Sequence, residues 1–249
     1  MTDITRRASP NHDARPPGGP VDILLVHYTG MESAEAALDR LCDPAAKVSA
    51  HYLIDEAGRI FALVDEARRA WHAGVASWAG AADINARSVG IELVNPGHEF
   101  GYRPFPEAQM RALDGLAIAI VARHGIPPHR VIGHSDVAPE RKQDPGELFD
   151  WARLARLGLG LWPAPDFAPS PHAEALGPGA SGAAVVDLQL ALGGLGYRVE
   201  GTGLYDTPTG AVVTAFQRHW RQSGVDGIAD GETRSLIHHL LDRLPDGPA

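Results

Sequence analysis

Short apolar runs alternate with segments of helical periodicity through residues 21–134, and this alternation limits the folds open to the chain. The run 23–26 is preceded by Pro and Gly, which is typical of a buried strand, and the run 89–94 has the same character. Residues 106–124 carry apolar side chains on one helical face, with Gly125 where a helix would end. Strands alternating with helices predict a layered α/β domain, with a central, mostly mixed β-sheet flanked by helices.

Two further patterns belong to the same domain. Residues 51–54 and 60–64 flank a short polar segment that contains glycine, which predicts a β-hairpin. Residues 33–41 place apolar side chains at helical spacing behind Ser33, so we expect a helix with this serine as its N-cap.

The pattern changes after residue 162. Residues 163–175 are rich in proline, which resists both helix and sheet, and they predict an interdomain linker. Within residues 176–244, apolar side chains recur at helical spacing in three short stretches, which predicts a compact three-helix bundle. The main domain is therefore expected over residues 19–162.

The first 18 residues hold charge, Pro and Gly but no apolar stretch. We expect residues 1–18 to form a flexible arm, and they lack the apolar core of a secretory signal. No segment approaches about 18 consecutive apolar residues, so the sequence predicts no transmembrane span.

Charge and cysteine content narrow the classes of function. The formal net charge is −9, and no basic stripe is present, so nucleic acid is not expected as a partner. The single cysteine, Cys42, cannot form an internal disulfide. We interpret Cys42 as a small packing residue, with a Cys-dependent peptidase as an alternative.

Two histidines end predicted strands: His27 ends the first apolar run, and His134 ends a last short strand over residues 131–134. Strand ends are rigid positions from which side chains converge into one cleft. Asp144 follows in an Asp-Pro-Gly turn. Two imidazoles and a carboxylate would form a three-ligand zinc site with an open fourth position. A lone histidine at a strand end is more often a packing or hydrogen-bonding residue, so both interpretations stay open at this level.

Glu92 is a second unusual residue, because it lies within the apolar run 89–94. A buried carboxylate is costly unless it is paired or has a raised pKa, and a Glu of raised pKa beside a metal is a suitable general base. Lys142 could place its ammonium near a developing oxyanion. The alternatives are that Glu92 pairs with Arg87 and that Lys142 is a solvated loop lysine.

Five segments, in order along the chain, carry a resemblance to a known family: VHYTG (26–30), SAHYLID (49–55), AWHAG (70–74), SVGIELVN (88–95) and IGHSDVAPERKQDPG (132–146). Together they resemble the type-2 N-acetylmuramoyl-L-alanine amidases, zinc enzymes that share their fold with the peptidoglycan recognition proteins. The resemblance extends from about residue 20 to about residue 160. It implies this fold, amidase activity and one zinc ion per chain.

The resemblance also implies roles for individual residues. His27 and His134 match the two zinc histidines of the family, and Asp144 matches its third ligand. Glu92 matches the catalytic glutamate, and Lys142 matches the lysine that stabilises the transition state.

Other positions are implied to line the substrate groove. Trp71 and His72 fall in a groove-lining segment, and Asn95 is expected to face the groove as well. Some relatives have a tyrosine where this chain has Ala50, so any role of that tyrosine is absent here. His51 is not a zinc ligand in the family, and we expect it to be structural.

The C-terminal part carries a second resemblance, in the segments LGPGASGAAVVDLQLALGGLGY, TGLYDTPTGAVVTAFQRHW and DGIADGETRSLI. These resemble the peptidoglycan-binding domain-1 family, a three-helix module without catalysis, over residues 176–244. Asp206, followed by Thr-Pro, is expected to cap a helix. The alternative is a module that only stabilises or orients the enzyme.

The combined expectation is zinc-dependent hydrolysis of the amide between the lactyl group of N-acetylmuramic acid and L-alanine. Peptidoglycan or muropeptides would be the partners, and the choice between intact wall and anhydro-muropeptides stays open. A non-catalytic muropeptide recognition protein is the alternative. A wall-binding module favours the cell envelope, or periplasm, whereas the missing signal favours the cytoplasm or an unconventional export route. Oligomeric state is also open.

Overall fold

The computed structural model describes residues 4–171 and 173–245. Most of its strands are short, and the two longest lie at the centre of the fold. The strands are β1 (Ile4–Arg6), β2 (His12–Ala14), β3 (Ile23–Tyr28), β4 (Tyr52–Ile54), β5 (Ile60–Ala62), β6 (Arg68–Ala70), β7 (Ser88–Leu93) and β8 (Val131–Gly133).

The helices fall into two groups, one around the sheet and one C-terminal to it. Those around the sheet are α1 (Ala34–Cys42), α2 (Ile84–Arg87), α3 (Gly97–Phe100), α4 (Glu107–His124), α5 (His134–Val137) and α6 (Trp151–Arg156), with a 3-10 turn at Pro128–Arg130. The C-terminal group is α7 (Ala183–Leu195), α8 (Thr207–Trp220) and α9 (Gly231–Leu241). No helix of these ranges is both long and apolar enough to cross a bilayer.

Six strands form one mixed sheet in the order β1-β5-β4-β7-β3-β8. The β4–β5 hairpin is antiparallel, and the other neighbouring strands are parallel. Strands β2 and β6 form a separate antiparallel pair. The predicted α/β class, with a mixed sheet flanked by helices and a C-terminal bundle, is confirmed.

Strand β3 is buried because both of its faces are covered, as parallel strands require. Leu24 and Val26 pack into an apolar cluster with helix α4. Ile23 and Leu25 point to the opposite face, into a cluster that continues through the three C-terminal helices. One apolar core therefore connects the sheet with the C-terminal bundle.

Local signals in the sequence account for several element boundaries. Ser33 caps α1, with its side chain accepting from the Ala36 N–H, as predicted. The β4–β5 turn needs glycine at position 58, because its φ is +81° and a Cβ there would lie 2.5 Å from the Ala108 carbonyl oxygen. Helix α4 begins one residue after Pro106 and ends before Gly125, whose φ is +67°.

The expected flexible arm over residues 1–18 is wrong for the part that the structure describes, residues 4–18. Strand β1 pairs with β5, and β2 pairs with β6. Asn11 is buried and donates from its side chain to the carbonyls of Asp43 and Val48. Backbone pairing and polar contacts hold this segment, so the lack of an apolar run did not indicate mobility.

Arg15 attaches the same segment to the core. Its guanidinium donates to the carbonyl oxygens of Glu66, Asn85, Ala86 and Ser88 at 2.7–3.1 Å. Such contacts are decided by distant parts of the chain, so the local sequence carries no signal for them.

The three predicted C-terminal helices are all present. Asp206 caps α8 by accepting from the Thr209 N–H, with proline in the first turn, as expected. Asp230 caps α9 in the same way through Thr233. The helices bury apolar side chains against one another: Val185, Leu188, Leu192, Val212, Phe216, Leu236, Ile237 and Leu240.

The described part of the predicted linker, residues 163–171 and 173–175, contains neither helix nor strand. It is nevertheless held against α9. The ring of Phe167 stacks on His239 with centroids 4.1 Å apart, and the Ala164 N–H donates to Nε2 of the same histidine.

Candidate metal and catalytic site

The parallel pairing of β3, β7 and β8 positions the candidate site. The register sets His27 opposite Glu92 and Val26 opposite Gly133. His134 follows Gly133, so it emerges beside His27 at the same edge of the sheet. It begins the short helix α5, which corrects the expectation that His134 ends a strand.

Three side-chain atoms converge at this edge. Nδ1 of His27, Nδ1 of His134 and Oδ2 of Asp144 are 3.0 Å from one another in each pairing. All three residues are buried. In a tetrahedral zinc site, bond lengths of about 2.0–2.1 Å place ligand atoms roughly 3.3 Å apart, so this spacing suits one ion. The group could hold a metal.

The hydrogen-bond partner of His134 determines its tautomer. Its Nε2 lies 3.0 Å from the carbonyl oxygen of Ala73, which can only accept. Nε2 therefore carries the proton, and in the neutral ring Nδ1 presents a lone pair to the cluster.

The tautomer of His27 follows from a longer chain of contacts. The Ser88 hydroxyl donates its only proton to the Ile84 carbonyl, at 2.6 Å. It must then accept from Nε2 of His72, at 3.3 Å, which leaves Nδ1 of neutral His72 as an acceptor. Nε2 of His27, 3.1 Å from that atom, is consequently the donor. Nδ1 of His27 also presents a lone pair to the cluster.

Three acceptors thus face one another with no proton between them: two imidazole lone pairs and a carboxylate oxygen. Their mutual repulsion is relieved by a cation, and the outer hydrogen bonds orient both rings toward it, as is usual for metal-ligating histidines. The residues present therefore fit a zinc ion, because zinc prefers nitrogen and carboxylate ligands in this number.

Burial keeps the imidazoles of His27 and His72 neutral. Burial, followed by the neighbouring His134, lowers the pKa of His27 to about 4. Burial also lowers the pKa of His72 well below its ordinary value. A neutral imidazole and an ionised carboxylate are the forms that bind metal.

Glu92 lies beside this cluster on β7. Its Oε2 is buried and has no hydrogen-bond partner among the residues that the structure describes. Burial, and then the Asp144 carboxylate, raises the pKa of Glu92 well above its ordinary value. The alternative pairing with Arg87 is not found, because Nε of Arg87 donates to Asp22 at 3.0 Å.

A cavity of about 340 Å³ opens over these groups. Glu92, Lys142, His134 and Asp144 line one part of it. The ammonium of Lys142 is close enough to Glu92 to counteract part of the rise in the pKa of that carboxyl. The lysine and the glutamate therefore share the cavity with two of the three candidate ligands, His134 and Asp144.

The predicted groove residues have different positions. Trp71 and His72 both line the cavity. Trp71 is partly exposed and donates from Nε1 to Asp13 at 2.8 Å, whereas His72 is 9% exposed and contacts His27. Direct contact of either residue with substrate stays a prediction.

The expectation for Asn95 is corrected. Its side chain is buried, its Nδ2 donates to the Arg103 carbonyl at 2.7 Å, and its Oδ1 accepts from the Gly97 N–H. Asn95 organises the loop after β7 and does not face the groove, because an amide at a strand end can satisfy loop backbone groups as readily as a ligand.

The side chains of His51 and Cys42 are held by packing and by hydrogen bonds to the backbone. Nδ1 of His51 accepts from the Gly90 N–H, and its Nε2 meets the Arg68 carbonyl, in agreement with its expected structural role. Cys42 packs at the edge of the apolar cluster around α1. Burial raises the pKa of its thiol, which disfavours the thiolate that a Cys-dependent peptidase needs.

The residues that orient the candidate ligands were not found from sequence. Ser88 and the carbonyl groups of Ile84 and Ala73 complete the contacts of His72 and His134. Backbone carbonyls carry no residue-type signal, so spacing could not have indicated them.

The sequence of this chain is similar to those of known amidases. A family model described as N-acetylmuramoyl-L-alanine amidase matches residues 17–147. A second, described as a putative peptidoglycan binding domain, matches residues 181–237. The N-acetylmuramoyl-L-alanine amidase AmiD of Escherichia coli strain K12 is 36% identical over 241 residues, which cover 90% of this chain and 83% of that protein.

Solved structures show the same architecture. The complex of AmiD from E. coli with the substrate anhydro-N-acetylmuramic acid-L-Ala-D-gamma-Glu-L-Lys has a TM-score of 0.79 and 34% identity, covering 94% of this chain and 93% of that one. AmpDh3 from Pseudomonas aeruginosa in complex with anhydromuramic pentapeptide has a TM-score of 0.77 and 32% identity, covering 92% of this chain and 94% of that one.

Proposed function

We propose that this chain, which belongs to the family of N-acetylmuramoyl-L-alanine amidases, is a zinc-dependent member of that family. The reaction is hydrolysis of the amide between the lactyl group of N-acetylmuramic acid and the L-alanine of the stem peptide. The observation that carries the zinc assignment is the convergence of three buried acceptor atoms at 3.0 Å from one another.

The ligands are His27, His134 and Asp144. Zinc held by these three residues would supply a Lewis acid able to polarise the lactyl carbonyl and to lower the pKa of water. The rings of His134 and His27 need no reorientation to receive zinc. Their Nε2 protons already point away from the cluster, toward the Ala73 carbonyl and His72 respectively.

Glu92 is the residue that moves protons. As a carboxylate it accepts a proton from the attacking water, and its raised pKa allows it to hold that proton and pass it to the departing amine of L-alanine. Lys142 lines the same cavity and places positive charge near the oxyanion that forms at the lactyl carbon.

The substrate class is a muropeptide or the corresponding unit of peptidoglycan. Support comes from relatives solved with an anhydro-muramoyl tripeptide and an anhydromuramic pentapeptide. The C-terminal module, which matches the putative peptidoglycan binding domain, is proposed to contact the same polymer.

The test combines metal analysis with digestion of two substrates, an anhydro-muropeptide and intact peptidoglycan. We expect one zinc per chain and release of stem peptides with a free L-alanine amine, identified by mass spectrometry. Glu92→Gln should keep its zinc and lose about 10²–10⁴-fold in kcat. Full activity in that variant, or in chelated enzyme, would overturn the proposal.

A matched control is available on the surface. Glu56 is a partly exposed carboxylate paired with Arg103 at 2.7 Å. Glu56→Gln makes the same chemical change away from the cavity and should leave both zinc content and turnover as in the wild type.

A further inference from the structure

The short helix that begins with His134 contains a second buried acid, Asp136. Its carboxylate receives three donors. The Gly133 N–H donates to Oδ2 at 2.8 Å, His219 donates from Nδ1 to the same oxygen at 2.7 Å, and the Tyr197 hydroxyl donates to Oδ1 at 2.6 Å. A carboxylate this buried is tolerated only when such partners are present.

Two of these three donors come from the C-terminal module. Tyr197 follows helix α7, and His219 lies in the last turn of α8. The ring of His219 is stacked between Trp151, at 3.8 Å between centroids, and Trp220, at 3.6 Å. The orientation of the imidazole is therefore determined by packing from both domains.

The short helix that holds Asp136 is also connected to the backbone beside both His134 and Asp144. It accepts from the N–H of Gly133, directly before His134. One residue further, the Ser135 N–H donates to the backbone carbonyl of Asp144 at 2.9 Å. The space beside Gly133 is filled, because a Cβ there would lie 2.7 Å from Pro145 and 3.2 Å from Trp151.

We propose that the C-terminal module is a structural part of the metal site: His219 and Tyr197, acting through Asp136, are positioning residues for the ligands His134 and Asp144. The module thus has a role in metal retention besides any contact with the cell wall. This inference rests on the proposed zinc site.

The physical reason is the cost of leaving Asp136 underpaired. Without the two donors from the module, a buried carboxylate retains only one N–H, and α5 must shift to bring it to water. Any such shift moves His134, whose Nδ1 has to stay within a few tenths of an ångström of its place for zinc coordination.

The test uses full-length variants that each remove one donor and keep the ring. Tyr197→Phe removes the hydroxyl, and His219→Phe removes the imidazole donor while keeping a ring between the two tryptophans. Zinc affinity is measured by competition with a chromogenic chelator, and stability is measured by thermal unfolding of the zinc-free protein.

Tyr205→Phe is the matched control. The Tyr205 hydroxyl is buried and donates to the Gly227 carbonyl at 2.7 Å, inside the module and without contact to Asp136. All three variants lose one buried hydrogen bond, so a similar loss of stability is expected from each. Gln222→Ala, which removes a donor to the Phe149 carbonyl at 2.6 Å, controls for loss of an interdomain contact as such.

We expect zinc affinity to fall about tenfold or more in Tyr197→Phe and His219→Phe, as for other outer-shell changes, and to stay at the wild-type value in both controls. Wild-type affinity in the Tyr197 and His219 variants, with stability lowered as in the control, would overturn this inference alone. Absence of zinc binding by the wild type would instead overturn the proposed function.

Discussion

Nε2 of His27 lies 3.1 Å from Nδ1 of His72, and this contact decides which nitrogen of His27 faces Asp144. His72 can accept there because its own Nε2 proton is directed to Ser88, whose hydroxyl is committed to the Ile84 carbonyl. The direction of every proton in this series of hydrogen bonds follows from the Ile84 carbonyl at its end.

The first prediction tests that relationship. His72→Ala removes the acceptor for His27, so zinc affinity should fall about 10–100-fold. His72→Gln retains a side-chain oxygen that can accept, so its loss should be smaller. Chelator competition measures both constants. Equal affinity in the wild type and His72→Ala would show that the contact does not orient the ligand.

A second prediction concerns Gly90, in the middle of β7. A Cβ at this position would lie 2.5 Å from Nδ1 of His72, and the buried ring cannot move away. Gly90→Ala should therefore lower both zinc affinity and stability, the latter by about 1–3 kcal/mol as for other overpacked cores.

Gly115 provides the control for that change. It lies on the exposed side of α4 and has no atom within 4 Å of a Cβ. Gly115→Ala should stabilise the helix by about 0.5–1 kcal/mol and leave zinc affinity unchanged. Urea unfolding and chelator competition on the pair would separate a general backbone effect from displacement of His72.

The third prediction concerns Lys142. If its ammonium stabilises the oxyanion, Lys142→Met should lower kcat about 10²–10³-fold, as for loss of one oxyanion donor. Zinc content should be unchanged, because the lysine is outside the ligand set. Single-turnover kinetics on an anhydro-muropeptide would measure the effect. A variant that changes only KM would assign the lysine to ground-state binding.

The fourth prediction is a dependence of stability on pH. Burial lowers the pKa of His51 from its ordinary value of 6.5 to about 4. Below pH 6.5 the unfolded chain binds the proton first, so stability falls as the pH drops from 6.5 toward 4. By pH 5 this histidine alone should cost about 2 kcal/mol.

The measurement is urea unfolding of zinc-free protein at pH 7.5 and pH 5. His27 and His72 have lowered pKa values for the same reason, so all three residues contribute to the loss. His51→Gln should reduce the pH-dependent loss by roughly a third relative to wild type. An identical loss in wild type and variant would mean that His51 is protonated in the folded state.

The fifth prediction concerns the N-terminal segment. Arg15→Ala removes a charged donor from four carbonyl groups and should destabilise the fold by about 3 kcal/mol. Arg6→Ala, at an exposed position of β1, should change stability by less than about 0.5 kcal/mol. Thermal unfolding of the two variants compares them, and a neutral Arg15→Ala would mean that the segment is loosely attached.

Several elements could be predicted because their signals are local. The apolar run of β3, the N-cap at Ser33, the glycine that ends α4 and the cap at Asp206 each act within a few residues. Local hydrogen bonds and periodicity favour these structures before any distant contact forms. The same local patterns allowed His27, His134, Asp144 and Glu92 to be singled out.

The predictions that were wrong concern residues whose structure depends on contacts with other parts of the fold. Residues 4–18 are held by pairing with β5 and β6 and by the contacts of Arg15, none of which depends on the apolar pattern of the segment itself. Asn95 was expected to face the groove, but its side-chain amide forms hydrogen bonds with backbone groups of its own loop. Polar side chains have several possible partners, and only the folded chain determines which are within reach.

Residue types and their spacing by themselves determined the α/β class and the helical C-terminal module, and they singled out His27, His134 and Asp144 as candidate metal ligands. The tertiary structure alone decided which nitrogen of each histidine faces inward, that Glu92 is left with a buried unpaired oxygen, and that the module donates to Asp136. The reason is that helices and strands arise from interactions between near neighbours in sequence. Proton positions and ligand geometry depend instead on atoms from four or five distant segments that meet only after the sheet and the bundle have packed.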